Sequence, residues 1–367
     1  MRGSSGKLSV TKTEGIAKMN QRKLYQWVKK VSKSWDGFTD HFQENVVVFS
    51  RGVAKSQSSQ IRKIAACVPG QQNSQRRRLQ RFLKKEMSMS RFFTHWTRTI
   101  VRELKQDTIV LAVDETKLKA QFGAMVVGVV YEGRCIPLAW RIYCANDAAA
   151  YPPEGQVEMI LTMLRAIQAG LPKHVKVRVL ADRGIGTSPD LMKGIDEFGW
   201  TYLFRVTKQS KIILPDGRDI TFYDQVDKPG ESYTASGIVF KKRGRIPGHV
   251  RVLWGEHAQE KWALVTNDDT LTGWEYAQRM WIEQAFRDLK SHGWQLESAQ
   301  FTCPQRMERM WILLVVAYAW LLLWGAALAQ AKLLAAPKRR LDGTFVRRNS
   351  LFREGRHAFL NYSPYRL

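Results

Sequence analysis

The stretch Leu271–Lys290 reads LTGWEYAQRMWIEQAFRDLK. It has no proline, is rich in good helix formers and opens on Thr272-Gly273, which suits a helix cap, so it is expected to be one helix. At about 100° per residue, Tyr276, Arg279, Glu283 and Lys290 fall at roughly 0°, 300°, 340° and 320°. They share one narrow stripe about 21 Å long, with Arg287 on its edge at roughly 20°. Ile282, Ala285, Phe286 and Leu289 take another face, the natural core side, and Trp281 is expected to pack. Alone, the stripe reads first as a solvated face with an i,i+4 Arg–Glu pair. It becomes more than that only if the rest of the chain supplies partners for Glu283.

The chain has 367 residues, 44% of them hydrophobic, enough for a sizeable core in two or three domains. Its net charge of +25 is unevenly spread. Residues 1–100 hold 21 Lys/Arg against 5 Asp/Glu, residues 338–367 hold 8 against 2, and the middle is nearly balanced at 29 against 26. Positive ends around a near-neutral centre are the footprint expected of a protein that holds a polyanion along an extended surface. Ribosome-like basicity and binding to anionic membranes are the competing readings. The four cysteines, Cys67, Cys135, Cys144 and Cys303, form no CxxC pair and have no His at metal-ligand spacing; they read as reduced thiols of a cytoplasmic protein. The polar N-terminus MRGSSGKLSV carries no apolar signal segment. Met310–Ala329 is an uncharged run of 20 residues, a transmembrane candidate by length; without a companion span it is expected to be a buried core helix.

Residues 1–15 read as a flexible arm and 16–105 as helical. Ser58–Ala66 and Asn73–Lys85 are expected helices around Val68-Pro69-Gly70, the second capped by Asn73 or Ser74. The second carries Arg76, Arg77, Arg78, Arg81, Lys84 and Lys85, with Leu79, Phe82 and Leu83 as its apolar side. A short helix, a turn and a basic helix fit a helix-turn-helix-like DNA reader, or a generic basic surface that touches phosphates without reading bases. From Asp107 strands are expected at Thr108–Val113, Ala124–Tyr131 and Ile136–Tyr143, then a helix over Glu154–Ala169, a strand over Val175–Ala181, a helix over Asp190–Phe198 and a strand over Trp200–Val206. This succession predicts a mixed α/β sheet. Short strand-like pieces within 207–260 predict an antiparallel β insertion, after which Trp262–Thr266 resumes the sheet. Pro304–Leu334 reads as one long helix, and the tail from Pro337 as basic and lightly patterned.

Two aspartates hold matching places: Asp114 ends the first strand and Asp182 the fourth, where ligand sites collect in open α/β sheets. Singly, Asp182 could pair with Arg183 and Asp114 could cap the turn after its strand. Three carboxylates meeting in a basic protein would repel one another unless cations sat between them. Mg²⁺, a hard oxygen-seeking ion, suits such a set. Two ions about 3.5–4 Å apart would serve in-line phosphoryl transfer on nucleic acid.

The spacing Tyr276-x2-Arg279-x3-Glu283-x6-Lys290 matches the Tyr-Arg-Glu-Lys signature of a large family of bacterial insertion-sequence DDE transposases. The surrounding text resembles the same family: Arg279-Met-Trp-Ile-Glu-Gln-Ala-Phe286, Leu180-Ala-Asp-Arg-Gly184, Tyr202-Leu-Phe-Arg205, Val113-Asp-Glu-Thr116 and the basic RRRLQRFL segment. The resemblance runs from about residue 57 to 335. It implies a ribonuclease H-like α/β catalytic domain with a β insertion between the second Asp and the Glu, preceded by an α-helical DNA-binding domain. The implied organisation is a helical basic region over 1–105, the catalytic domain over 106–206 and 261–335, the insertion over 207–260 and a basic tail over 336–367.

By the same resemblance Asp114, Asp182 and Glu283 are catalytic and hold two Mg²⁺ ions, with Mn²⁺ able to substitute. Tyr276, Arg279, Lys290 and Arg287 would contact DNA phosphates, and Trp254 of the insertion is the candidate for stacking a displaced base. The implied activity is cut-and-paste transposition: binding of terminal inverted repeats, cleavage of the element ends, and joining of 3′-hydroxyls to double-stranded target DNA by a homodimer in a synaptic complex, with no membrane. The alternative is a catalytically silent, DNA-binding regulator on the same fold.

Overall fold

The computed structural model describes residues 35–119, 121–145, 151–240, 244–339 and 345–361. The arm expected over 1–15 lies outside them, as do residues 241–243 of the expected insertion. Four helices come first: α1 (Asp40–Ser56), α2 (Ile61–Ala66), α3 (Gln72–Lys84) and α4 (Met89–Leu104). Strands β1 (Thr108–Leu118), β2 (Phe122–Tyr131) and β3 (Arg134–Cys144) follow, then α5 (Gly155–Gly170), β4 (Lys176–Ala181), α6 (Arg183–Gly186), α7 (Pro189–Glu197) and β5 (Thr201–Arg205). The insertion holds β6 (Lys211–Ile213), β7 (Asp219–Thr221), β8 (Ser232–Val239) and β9 (Ile246–Leu253), and β10 is Trp262–Thr266. Helices α8 (Trp281–Leu289), α9 (Pro304–Gln330) and α10 (Leu351–Asn361) complete the chain, with a two-strand ribbon, β11 (Lys338–Arg339) and β12 (Phe345–Val346), before the last. The chain forms two compact units, one spanning Ser88–Arg287 and the other made of the residues up to Met87 together with those from Asp288 onward.

The unit over 88–287 is built on a ten-stranded sheet in the order β3-β2-β1-β4-β5-β10-β9-β8-β6-β7. β1, β4 and β5 run parallel, while β2 is antiparallel to both β1 and β3. β10 joins antiparallel to β5 and carries β9 on its other edge, so the insertion extends the main sheet rather than standing apart from it. Parallel strands need crossover connections, which α5 to α7 supply, and strands buried on both faces read as continuous apolar runs, as AMVVGVV in β2 does. α4 packs on α5 and β3, with Phe92, Phe93 and Trp96 buried and the Trp96 indole donating to the Pro137 carbonyl at 2.9 Å.

In the other unit, α9 is the core. The uncharged run Met310–Ala329 carries more apolar side chains than one face can hide, and α1, α3 and α10 cover them. Among the described residues α9 is the one helix long and apolar enough to cross a membrane, yet 72% of its most apolar window is buried, as a core helix requires. Arg309 ties α9 to α3 by donating to the Leu83 carbonyl at 2.8 Å. The residues after Pro337, expected to be lightly patterned, include α10, which buries Leu351, Phe352, Ala358 and Phe359. It crosses α9 where Gly325 and Gly355 face each other; a Cβ on either would run into the backbone of the opposite helix. The apolar spacing of α10 is hidden by basic residues between its core positions, which is why composition alone reads as a tail.

Candidate active site

β1 and β4 are parallel neighbours with Val113 opposite Ala181, so Asp114 and Asp182 leave the last paired positions side by side. Asp114 is not at the end of β1, as its sequence suggested: the strand continues to Leu118 because β2 keeps pairing with it. Its carboxylate is 10% exposed, and Oδ1 accepts from the Glu115 amide at 2.9 Å. Asp182 does end β4 and caps α6, with Oδ1 accepting from the Ile185 amide at 3.2 Å.

The Leu271–Lys290 stretch is not one α-helix. Trp274–Met280 is a 3₁₀ turn, and α8 starts only at Trp281. Gly273 heads the turn at φ 98°, a conformation open chiefly to glycine, and the Glu275 carboxylate accepts from the Gly273 amide at 2.8 Å and the Thr272 hydroxyl at 3.0 Å. A 3₁₀ turn aligns residues three apart and an α-helix residues four apart. Tyr276-x2-Arg279 therefore fits the first segment and Arg279-x3-Glu283 the second, and the three side chains still share a side. Arg251, buried in β9, anchors the approach by donating to the carbonyls of Leu271 (2.9 Å) and Asp269 (2.7 Å). The insertion thus holds the segment that delivers Arg279 and Glu283.

Arg279 gathers the three carboxylates. Its Nη2 lies 2.9 Å from Asp114 Oδ1 and 3.5 Å from Asp182 Oδ2, and its Nη1 lies 2.5 Å from Glu283 Oε1. The guanidinium is 9% exposed, whereas Asp182 and Glu283 are 37% and 39% exposed, so the cluster opens to solvent on their side. Burial pushes the Asp114 carboxyl up to about 6; Arg279 pulls it down, and Asp182 and Glu283 push it further up. Burial works against the charge on Arg279, but Asp114, Tyr276, Asp182 and Glu283 outweigh it and hold its pKa above the ordinary value. Three carboxylates against one guanidinium leave a net charge of −2, and their oxygens are the hard donors that Mg²⁺ prefers. The donor set therefore fits divalent cations, although among the described residues no three acidic, His or Cys side chains stand at metal-ligand spacing, since Arg279 lies between them.

Tyr276 is buried at 3% exposure among Leu180, Leu203, Leu253, Leu264 and Leu271, which raises its phenol pKa against the pull of Arg279 and Arg205. Two tryptophans absent from the sequence-based site extend from it: Trp262 is edge-on to Tyr276 at 5.1 Å, and the 52%-exposed Trp274 is edge-on to Trp262 at 6.0 Å. Sequence reasoning also missed a cationic group around Glu260, which meets Arg205 at 2.6 Å, Arg183 at 3.4 Å and Lys208 at 3.6 Å. Arg183 thus turns to Glu260, while Asp182 meets Arg279. The signal was present in the segments ADRG and YLFR, each carrying one of these arginines. Trp254 is half-buried, its indole donating to the Ala258 carbonyl at 3.0 Å and one ring face carrying Lys261 at 5.5 Å. Arg287 is exposed on α8, and Lys290 belongs to the other compact unit.

The basic segment of that other unit is α3. It begins at Gln72 without a side-chain cap, so neither Asn73 nor Ser74 caps it, and α2 is shorter than Ser58–Ala66 because Ser58 and Ser59 are buried before it starts. Arg77, Arg81, Lys84 and Lys85 are exposed together with Gln72, Asn73 and Gln80. Arg78 instead turns inward: Nε donates to Asn45 Oδ1 at 2.6 Å, Nη2 meets Glu44 at 3.2 Å, and the guanidinium lies over the Phe49 ring. Arg76 is half-buried and lines a cleft of about 510 Å³ with Arg62 and Gln80. All four cysteines are free, as expected.

No curated protein matches the chain. The family model described as "Transposase DDE domain" matches residues 105–320, which take in the whole sheet, Asp114, Asp182 and the Arg279–Glu283 segment. With that match spanning more than half its length, and with its ribonuclease H-like sheet, the chain belongs to the DDE transposases of insertion sequences.

Proposed function

We propose that this transposase performs cut-and-paste transposition with Asp114, Asp182 and Glu283 as its catalytic carboxylates. The observation that carries this reading is the meeting of all three at one buried arginine, within the matched domain. Asp114, Asp182 and Glu283 would hold two Mg²⁺ ions, or Mn²⁺ in their place, which supply activation of the attacking oxygen and charge neutralisation at phosphorus. The chain's own residues do the rest. α2 and α3 present Arg77, Arg81, Lys84 and Lys85, with Arg76 beside them, to the phosphates of the terminal inverted repeats, and exposed Gln72 and Asn73 have the amide pattern that pairs with adenine edges. Arg279, Arg287 and Lys290 hold the strand being cut, with Tyr276 anchoring the turn that carries Arg279 in the leucine cluster. The family resemblance alone assigns base stacking to Trp254. Water attack frees each 3′-hydroxyl, which then attacks target duplex. A homodimer in the cytoplasm would pair two ends.

The test is cleavage of DNA that carries the gene's flanking sequence, in Mg²⁺, by the full chain and by Asp114→Asn, Asp182→Asn and Glu283→Gln. Cleavage by the wild type and by none of the variants is expected. Cleavage by any variant at the wild-type rate removes that residue from the site, and a wild type that binds but never cuts supports the silent regulator.

A further inference from the structure

Arg279 stands where three carboxylates would otherwise meet a cation, at 2.9, 3.5 and 2.5 Å from Asp114, Asp182 and Glu283. A guanidinium does not lose its charge by titration in a protein, so it releases carboxylates only by moving away from them. Its planar fork suits phosphate as well as carboxylate. The neighbouring Arg183, Arg205 and Lys208 meet only Glu260 within salt-bridge distance among the described acidic side chains, which leaves an excess of positive charge in the same compact unit to attract a phosphate strand. We propose that Arg279 is the resident counter-cation of the DNA-free protein, and that a DNA phosphate draws it off the carboxylates and opens them to divalent metal. Metal loading is then coupled to DNA binding, and the free protein is protected from idle metal capture. This rests on the reading of the triad as a metal site.

One feature of the geometry makes the exchange feasible. Asp182 and Glu283 are more than a third exposed, so phosphate reaches the cluster from the side on which Arg279 contacts them. Coupling is also reciprocal by thermodynamic necessity: if DNA raises metal affinity, metal raises DNA affinity by the same factor.

The test is a Mn²⁺ titration followed by electron paramagnetic resonance, using the full chain with and without a random-sequence duplex at low salt. Asp114→Asn protein with the same duplex serves as the blank for ions held by DNA itself. For the wild type the duplex should tighten Mn²⁺ binding about 5- to 150-fold, the usual range of coupling between sites. Arg279→Gln without DNA should bind Mn²⁺ as tightly as the wild type does with it, and the duplex should add nothing further. Its metal-free melting temperature should drop, and Mn²⁺ should restore it. Arg279→Lys, which keeps the charge on a head unable to span two carboxylates, should fall between the two and serves if the glutamine variant does not fold. Either variant binding Mn²⁺ no tighter than the DNA-free wild type, with the duplex effect intact, overturns the proposal. Failure of the underlying reading is separate: Asp182→Asn would then bind Mn²⁺ as well as its parent in every background.

Discussion

The two compact units of this chain handle charge in opposite ways. In the sheet unit, three carboxylates are collected from distant parts of the sequence and neutralised in part by one buried arginine. In the helical unit, cations four residues apart on α3 are displayed to solvent, while Arg78 beside them is taken up by Glu44 and Asn45. Collected charge costs desolvation and is retained for chemistry that uses it; displayed charge costs little and suits a ligand that brings its own counter-charges. The contrast predicts that the two sets can be disabled separately.

The largest effect should come from neutralising the sheet-unit carboxylates. Asp182→Asn and Glu283→Gln should reduce DNA cleavage below detection, while filter binding in the absence of divalent metal should still show duplex bound. The mirror experiment is Arg77→Ala, Arg81→Ala and Lys84→Ala together. At about 0.9 per phosphate contact, the slope of log affinity against log salt should flatten by about 2.7. A flat response in the wild type, or loss of binding in the carboxylate variants, would break the separation.

Much of this was legible because the fold speaks through local patterns. Uninterrupted apolar runs marked the strands, and the spacing of Tyr276, Arg279 and Glu283 survives the change from 3₁₀ to α because it is three and then four. The 3₁₀ turn itself was not legible, since its causes are a glycine in a left-handed conformation and the packing of Tyr276 on Trp262, neither of which leaves a periodicity. The Glu260 cluster was only partly legible: ADRG and YLFR each carried one of its arginines, but its members come from three separate stretches of the chain. Arg78 could not be told from Arg77 without knowing that α1 lies against it.

Smaller effects sharpen the contrast through stability. Gly325→Leu should destabilise the helical unit by about 1–3 kcal/mol or more, because α10 cannot move aside without losing Phe352 and Phe359; chemical denaturation followed at the tryptophans of α9 would show it, with the sheet unit unaffected. Arg251→Met should cost about 1.5–3 kcal/mol in the sheet unit and lower cleavage by loosening the approach to Arg279, without changing the salt slope of DNA binding.

The last effect is on pH dependence. In metal-free protein the Asp114 carboxyl sits at about 6, above its ordinary value of about 3.9, so the folded state holds the proton more tightly than the unfolded state. Its contribution to stability is present at low pH and declines as pH rises from about 4 through 6. Urea midpoints across that window should fall in the wild type relative to Asp114→Asn, which has no proton to lose there.

The most direct test of the account is the number of Mn²⁺ ions held per chain in the presence of duplex DNA, after subtracting those held by DNA alone. Asp114, Asp182 and Glu283 acting as one site predict about two ions in the wild type and a clear loss in each of the three neutralising variants. An unchanged count in all three variants would contradict it.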